Sequence, residues 1–254
     1  MEMQDVFRYG LEAGQIPRIL FKYTTIETLK KGLDIPSIYF SPSADFNDPF
    51  ELKYKLDNNY TENDWYSFLR SQGLSSYKSA EKAKLIMGNP QKAYKTISDA
   101  IEEQMKNTGI LCLTPHNDNI LMWAHYANSH KGACIEYDLM ADTAAFCFPK
   151  KVEYSDDYIK FNYLKEQERV TECIFHKSKA WSYEDEYRIV RPDHAGRIIS
   201  INPQAIRSIC FGCKCDDIEI NEIREYINKK GWTHIQLKKA EIDDTAFKLH
   251  FQNI

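Results

Sequence analysis

Two glutamates set two residues apart, Glu184 and Glu186 in 178-SKAWSYEDEYRIV-190, carry the most pointed chemistry in this chain. On an extended strand, residues i and i+2 share a face. Two carboxyl groups side by side repel, which raises one pKa towards neutrality and makes a usable acid or base. The structural alternative is a solvated strand entrance, with Arg188 or Lys179 as salt partner. A second polar cluster is the loop 45-DFNDPFE-51, where Asp45, Asn47, Asp48 and Glu51 surround Phe46, Pro49 and Phe50. Proline stiffens such a loop and aromatic residues anchor it, which suits ligand binding. The alternative there is an Asx-type turn that joins two elements.

Other chemistry is weaker. His125, within 116-HNDNILMWAHYANSHKG-132, is a candidate acid or base by residue type. A histidine beside Trp123 and Tyr126 also reads as a satisfied, partly buried residue. Three of the seven cysteines gather in 210-CFGCKC-215. A zinc site wants four ligands in two spaced pairs, and Cys210, Cys213 and Cys215 have no matching second pair, so no metal is expected. The segment 48-DPFELK-53 resembles the acids and lysine of a metal-dependent nuclease only superficially, because Asp48 and Glu51 stand too close together for a hairpin to separate them.

The elements that must position these groups follow from periodicity and capping. Residues 3–13 read as a helix and 18–24 as a strand. A helix over 25–32 has Thr25 as N-cap and Gly32 as its stop, and a strand over 37–41 leads into the polar loop. Residues 61–107 are lysine-rich and helical in period, broken at Gly88, Asn89 and Pro90, and read as a helical insertion, a lid or a partner surface. Strands over 109–114 and 132–138 flank a helix over 119–130, capped by Asp118 or Asn119. A long amphipathic helix is expected over 157–177, then the strand after Glu186, strands at 196–201 and 207–212, a helix over 218–230, and strands at 233–237 and 246–251. With no repeat and no linker, the pattern predicts one α+β domain over 1–254: mixed, mostly antiparallel sheets with flanking helices and the insertion.

Bulk composition excludes several classes. Of 254 residues, 43% are hydrophobic and 28% charged, which is an ordinary globular mixture. A formal charge of −4 gives no bulk attraction to nucleic-acid phosphates. An odd, scattered set of seven cysteines reads as reduced thiols. The start lacks a basic region followed by an apolar run, and no apolar run approaches the roughly 20 residues that span a bilayer. The expected location is the cytoplasm, with no membrane partner.

Four segments, 21-FKYTTIETLKKG-32, 39-YFSPSADFNDPFE-51, 110-ILCLTPHNDNILMWAHYANSHKGACIEYD-138 and 177-KSKAWSYEDEYRIV-190, resemble in order a widespread bacterial family, domain of unknown function 2971. The resemblance spans most of residues 19–212 and implies no activity, though it suggests a role in phage defence or a toxin-like system. More distantly, a strand ending near Tyr23, a strand ending near Ser41 and a late glutamate at a strand start are similar to the ADP-ribosyltransferase fold. That likeness implies NAD as cofactor and a protein or nucleic-acid acceptor. It puts Lys22 or Tyr23 at the motif that holds the nicotinamide-side ribose and Tyr39 or Ser41 at the motif flanking the nicotinamide. Glu186 falls at the carboxylate that stabilises charge on the breaking glycosidic bond, and Glu184 is like the paired acid of arginine-directed transferases. The first motif of that fold presents His or Arg, where this chain has Lys22 and Tyr23. Trp181, Tyr183 and the loop residues Phe46, Asn47 and Asp48 would wall the site. A non-enzymatic module, binding a ligand or a partner through the 61–107 helices, is the rival reading.

Overall fold

Capping and alternation put most elements where the sequence predicts them. The computed structural model describes residues 3–254; Met1 and Glu2, the first residues of the polar start read above, lie outside the described residues. Helix α1 (Met3–Glu12) leads to β1 (Ile19–Thr24), α2 (Ile26–Asp34) and β2 (Ser37–Phe40). The Thr25 hydroxyl accepts the Thr28 N–H, the N-cap expected of it. After a loop comes β3 (Tyr54–Leu56), then the insertion as α3 (Glu62–Ser71), α4 (Ser76–Met87) and α5 (Pro90–Asn107). Strand β4 (Gly109–Leu113), α6 (Ile120–Tyr126) and β5 (Ala133–Asp138) follow, then β6 (Lys150–Lys151), β7 (Glu153–Ser155), β8 (Ile159–Phe161), α7 (Arg169–Ile174) and β9 (His176–Ser178). The chain ends with β10 (Tyr187–Arg191), β11 (Arg197–Ser200), β12 (Ile206–Phe211), α8 (Asp217–Lys229), β13 (Gln236–Ile242) and β14 (Leu249–Asn253). Among the described residues, no helix is long and apolar enough to cross a membrane.

The fold is α+β, with mixed, mostly antiparallel sheets. A five-stranded sheet runs β1-β5-β12-β13-β14, in which only β12 and β13 are parallel. Helices α2 and α8 bury Ile26, Leu29 and Leu33, and Ile220, Ile223 and Ile227, at the i, i+3, i+7 spacing of one helix face. Each such side chain removed from water stabilises by roughly 1.5–3 kcal/mol. A second sheet runs β4-β10-β6, and three strand pairs (β2 with β11, β3 with β8, β7 with β9) surround it. Two isolated bridges tie the sheets together, Phe21 with Thr114 and Ser41 with Ile110. Both ends of β4 are thereby stitched to the two early strands, and a hollow is left between them. The insertion packs Trp65, Ile97, Ile101 and Met105 into a second core shared with Ile110 of β4, Phe161 of β8 and Val170, Cys173 and Ile174 of α7.

Three expectations fail locally. Residues 157–177 are not one helix, because Ile159–Phe161 pairs with β3 and only Arg169–Ile174 is α-helical. Asn162 builds the intervening turn, its side chain accepting the Leu164 N–H while its own N–H goes to Glu166. Such side chain–backbone bonds compete with helix formation. Gly32 does not stop α2, which runs on to Asp34. The helix at 119–130 ends at Tyr126, since Asn128, Ser129 and His130 all take positive φ.

Candidate functional site

Five charged side chains meet on the floor of that hollow. Lys177, from β9, points its ammonium at Glu184 Oε2 (2.6 Å), Glu186 Oε2 (3.3 Å) and Glu51 Oε2 (3.7 Å). Arg188, on β10 and fully buried, grips Glu186 bidentately: Nε to Oε1 and Nη2 to Oε2, both 2.9 Å. Its Nη2 also donates to Glu51 and its Nη1 to the Ile174 carbonyl. The Tyr126 hydroxyl, from α6, donates to Glu184 Oε1 at 2.7 Å. Phe46 lies against the guanidinium, its ring centroid 5.5 Å away, and Trp181 covers the Lys177 ammonium at 5.1 Å.

The backbone explains why Glu184 and Glu186 converge. Glu184 ends a short 3-10 helix (Lys179–Glu184), and Asp185 takes a left-handed conformation, φ 44° and ψ 48°. Asp is among the few residues that visit that region readily. The reversal turns both neighbours inward and Asp185 outward, where its carboxylate meets Lys151 and His116. Thr114 anchors the turn by donating to the Glu184 carbonyl, and the Tyr154 hydroxyl accepts the Glu186 N–H.

The cluster borders a cavity of about 210 Å³, whose other walls include Lys22, Tyr23, Ser41, Phe46, Asn47 and Tyr126. Three carboxylates against two cations leave one net negative charge on the five floor groups. Burial raises the Glu186 pKa; Lys177 opposes this and Glu184 adds to it. Burial works against the Lys177 ammonium, but Glu186 and Glu184 outweigh it and hold its pKa above the usual lysine value. Burial draws Arg188 down to about 9, so it still carries its charge at neutral pH. The Tyr126 phenol is pushed up, by burial first and Glu184 second, and stays a donor. Cys112 also lines the cavity, yet burial and then Glu186 raise its thiol far above neutrality, so it is no thiolate nucleophile.

Of the residues singled out in the sequence, Glu184, Glu186, Lys22, Tyr23, Ser41, Phe46 and Asn47 line this one cavity. The rest do not. Tyr39 points out of β2, exposed, and donates to Asp45. Asp48 is buried and accepts the Phe50 N–H, the Asx-type turn that was the alternative for this loop. His125 is exposed and packs edge-on against Trp181. Trp181 and Tyr183 pack against each other, ring centroids 6.0 Å apart, and neither lines the cavity; the Tyr183 carbonyl accepts from Asn119, the α6 cap. Lys179 pairs with exposed Asp156, not with Glu186. Asp48 and Glu51 take different partners, so the nuclease arrangement is not assembled. Among the described residues, no group of three or more His, Cys, Asp or Glu side chains converges as metal ligands would, and Cys210, Cys213 and Cys215 are free thiols.

Sequence reasoning gave no role to Lys177 or Tyr126, named Glu51 among the polar residues of the 45–51 loop and in the nuclease reading, and used Arg188 only as a salt partner in the rival reading. Arg188 had a signal: it follows Glu186 by two residues on a strand, hence on the same face. Lys177 had none: it fell at the end of the helix expected over 157–177, where the structure has β9.

No curated protein and no solved structure matches the chain. The likeness to the ADP-ribosyltransferase fold draws no support from those comparisons. The stretch that brings Tyr126, Lys177, Glu184, Glu186 and Arg188 to the cavity is similar to the family described as Protein of unknown function (DUF2971), whose model matches residues 122–189.

Proposed function

We propose that the chain uses NAD, breaking the bond between nicotinamide and ribose and passing the ADP-ribosyl group to a protein or nucleic-acid acceptor. The observation that carries this reading is the shared cavity: Glu184 and Glu186 border the same hollow as Lys22, Tyr23, Ser41, Phe46 and Asn47. The bond's electron pair leaves with nicotinamide, which departs neutral; positive charge develops on the ribose, whose freed carbon then bonds the acceptor's nucleophilic atom as that atom gives up its proton to solvent. A buried floor with one net negative charge favours that charge where water is scarce. Phe46 and Tyr126 offer aromatic faces for a flat ring. A hollow of about 210 Å³ is smaller than the about 300–1,000 Å³ of pockets that enclose a drug-sized ligand, so it takes the nicotinamide end and leaves the adenylate outside. Exposed Asp45 and Asn47 stand at the rim.

The test is release of nicotinamide from NAD by the full chain, with protein and nucleic-acid acceptors offered in turn. Wild type turns over, and Glu186→Gln slows turnover by at least about 100-fold. No turnover with any acceptor overturns the reading.

One observation favours a second reading, a binding module without catalysis: Glu186 already receives three hydrogen bonds from Arg188 and Lys177. On that reading NAD is neither bound nor consumed, and Glu186→Gln alters stability alone. Calorimetric titration with NAD separates the two.

A further inference from the structure

We infer that the helical insertion binds single-stranded nucleic acid across the outer face of α4. Charge is shared unevenly along the chain. Residues 70–95 hold six cations, Arg70, Lys78, Lys82, Lys84, Lys92 and Lys95, and one acid, Glu81. That segment carries +5 in a chain of net −4, so the other residues carry −9. The bulk charge hides the patch. Lys78, Lys82, Lys84 and Lys92 are exposed and form no ion pair among the described residues. Of the six cations only Lys95 has a carboxylate partner there, Asp99 one turn on.

Helix geometry gathers these groups. Helix α4 buries Ser79 and Ala83. At about 100° per residue, Tyr77, Lys78, Glu81, Lys82, Lys84 and Leu85 fall within about 160° of arc on the opposite side. Tyr77, Glu81 and Leu85 form a row at i, i+4 and i+8, with Lys78 and Lys82 on one flank and Lys84 on the other. Tyr77 is 79% exposed, an aromatic ring left to water among unpaired ammonium groups. A lysine is a point charge that meets phosphate without reading sequence. An exposed ring gives an unpaired base a surface to stack on, which a duplex, with its bases already stacked, does not use. Two other polyanions fit less well. A bilayer would have to bury the Glu81 carboxylate, which interrupts the apolar row that an interfacial helix needs. Protein interfaces are depleted in lysine, which disfavours an acidic protein. The inference does not depend on NAD being used in the hollow.

The experiment titrates the full chain into fluorescent oligothymidylate and oligouridylate of about 20 nucleotides and reads anisotropy at several salt concentrations. A duplex of equal length, vesicles of anionic phospholipid and polyglutamate run beside them. Expected is saturable binding of the single strands, with log affinity falling against log salt at a slope of about −2 to −3, the value for three or four phosphate contacts. Lys78→Glu with Lys82→Glu weakens binding at least about tenfold and flattens that slope. Tyr77→Ala weakens single-strand binding at least about fivefold and duplex binding less. Lys229→Glu, an exposed charge reversal on α8, changes it less than about twofold. These side chains are exposed, so the variants leave folding intact, as circular dichroism checks. No saturable binding at low salt, binding that the α4 variants leave unchanged, vesicle retention in its place, or polyglutamate bound as tightly as the single strands overturns the inference.

Discussion

The charged hollow and the packed interior of the helical insertion treat buried polar groups in opposite ways. On the floor of the hollow every carboxylate has a cation, and the turn that presents Glu184 is pinned by Thr114. In the insertion, Trp65 and Ser79 are buried with no partner for the indole N–H or the hydroxyl. A saturated network is rigid and fails when one member is removed, whereas an unsaturated region tolerates change and gains from a ligand. The hollow is thus a cross-braced ionic cluster, and the insertion is a packed region that carries unpaired polar groups at a cost.

The sharpest way to break this contrast is Lys177→Met. It leaves three carboxylates around Arg188 alone, and the expected loss is about 3–5 kcal/mol in denaturant unfolding. A loss no larger than that of a surface substitution would show the floor to be solvated rather than sealed. Glu186→Gln acts more mildly, because it brings the floor to two carboxylates and two cations, and its signature is in pH. Glu186 has a folded pKa above the ordinary glutamate value of 4.5. Its contribution is full below that value and is lost as pH rises through the raised folded pKa. Wild type should lose stability relative to Glu186→Gln as pH climbs above about 4.5, and a flat difference would mean the two cations fully offset burial.

A matched pair sharpens the contrast at smaller scale. Thr114→Val removes a satisfied hydroxyl from the hollow and should destabilise by about 1–3 kcal/mol. Ser79→Ala removes an unsatisfied one from α4 and should stabilise by up to about 1 kcal/mol. The same sign for both would erase the distinction. Smallest of all, Lys95→Ala breaks an exposed pair with Asp99 on α5 and should leave the melting temperature unchanged.

Local signals carried much of the architecture. Thr25 capped its helix, the 61–107 period was helical, and Gly88-Asn89-Pro90 broke α4 from α5. Expectation failed where a distant strand competed, as at Ile159–Phe161, or where turn geometry rested on residues other than glycine, as at Asn128–His130. For the site, the sequence pointed to Glu184 and Glu186 through an argument that the structure alters. They do share a side, but through a left-handed Asp185 rather than along an extended strand.

The sequence by itself determined that acids two apart stand before a strand, that a proline-stiffened polar loop follows an early one, and that the insertion is helical. These are properties of neighbours along the chain, where spacing alone sets which face a side chain takes. Only the tertiary structure decided that Glu51, Lys177 and Arg188 close on those acids and that β1 and the loop after β2 share their hollow. Glu51 and Arg188 are 137 residues apart; no local rule reaches that far, and the bridges from β4 to Phe21 and Ser41 bring them together.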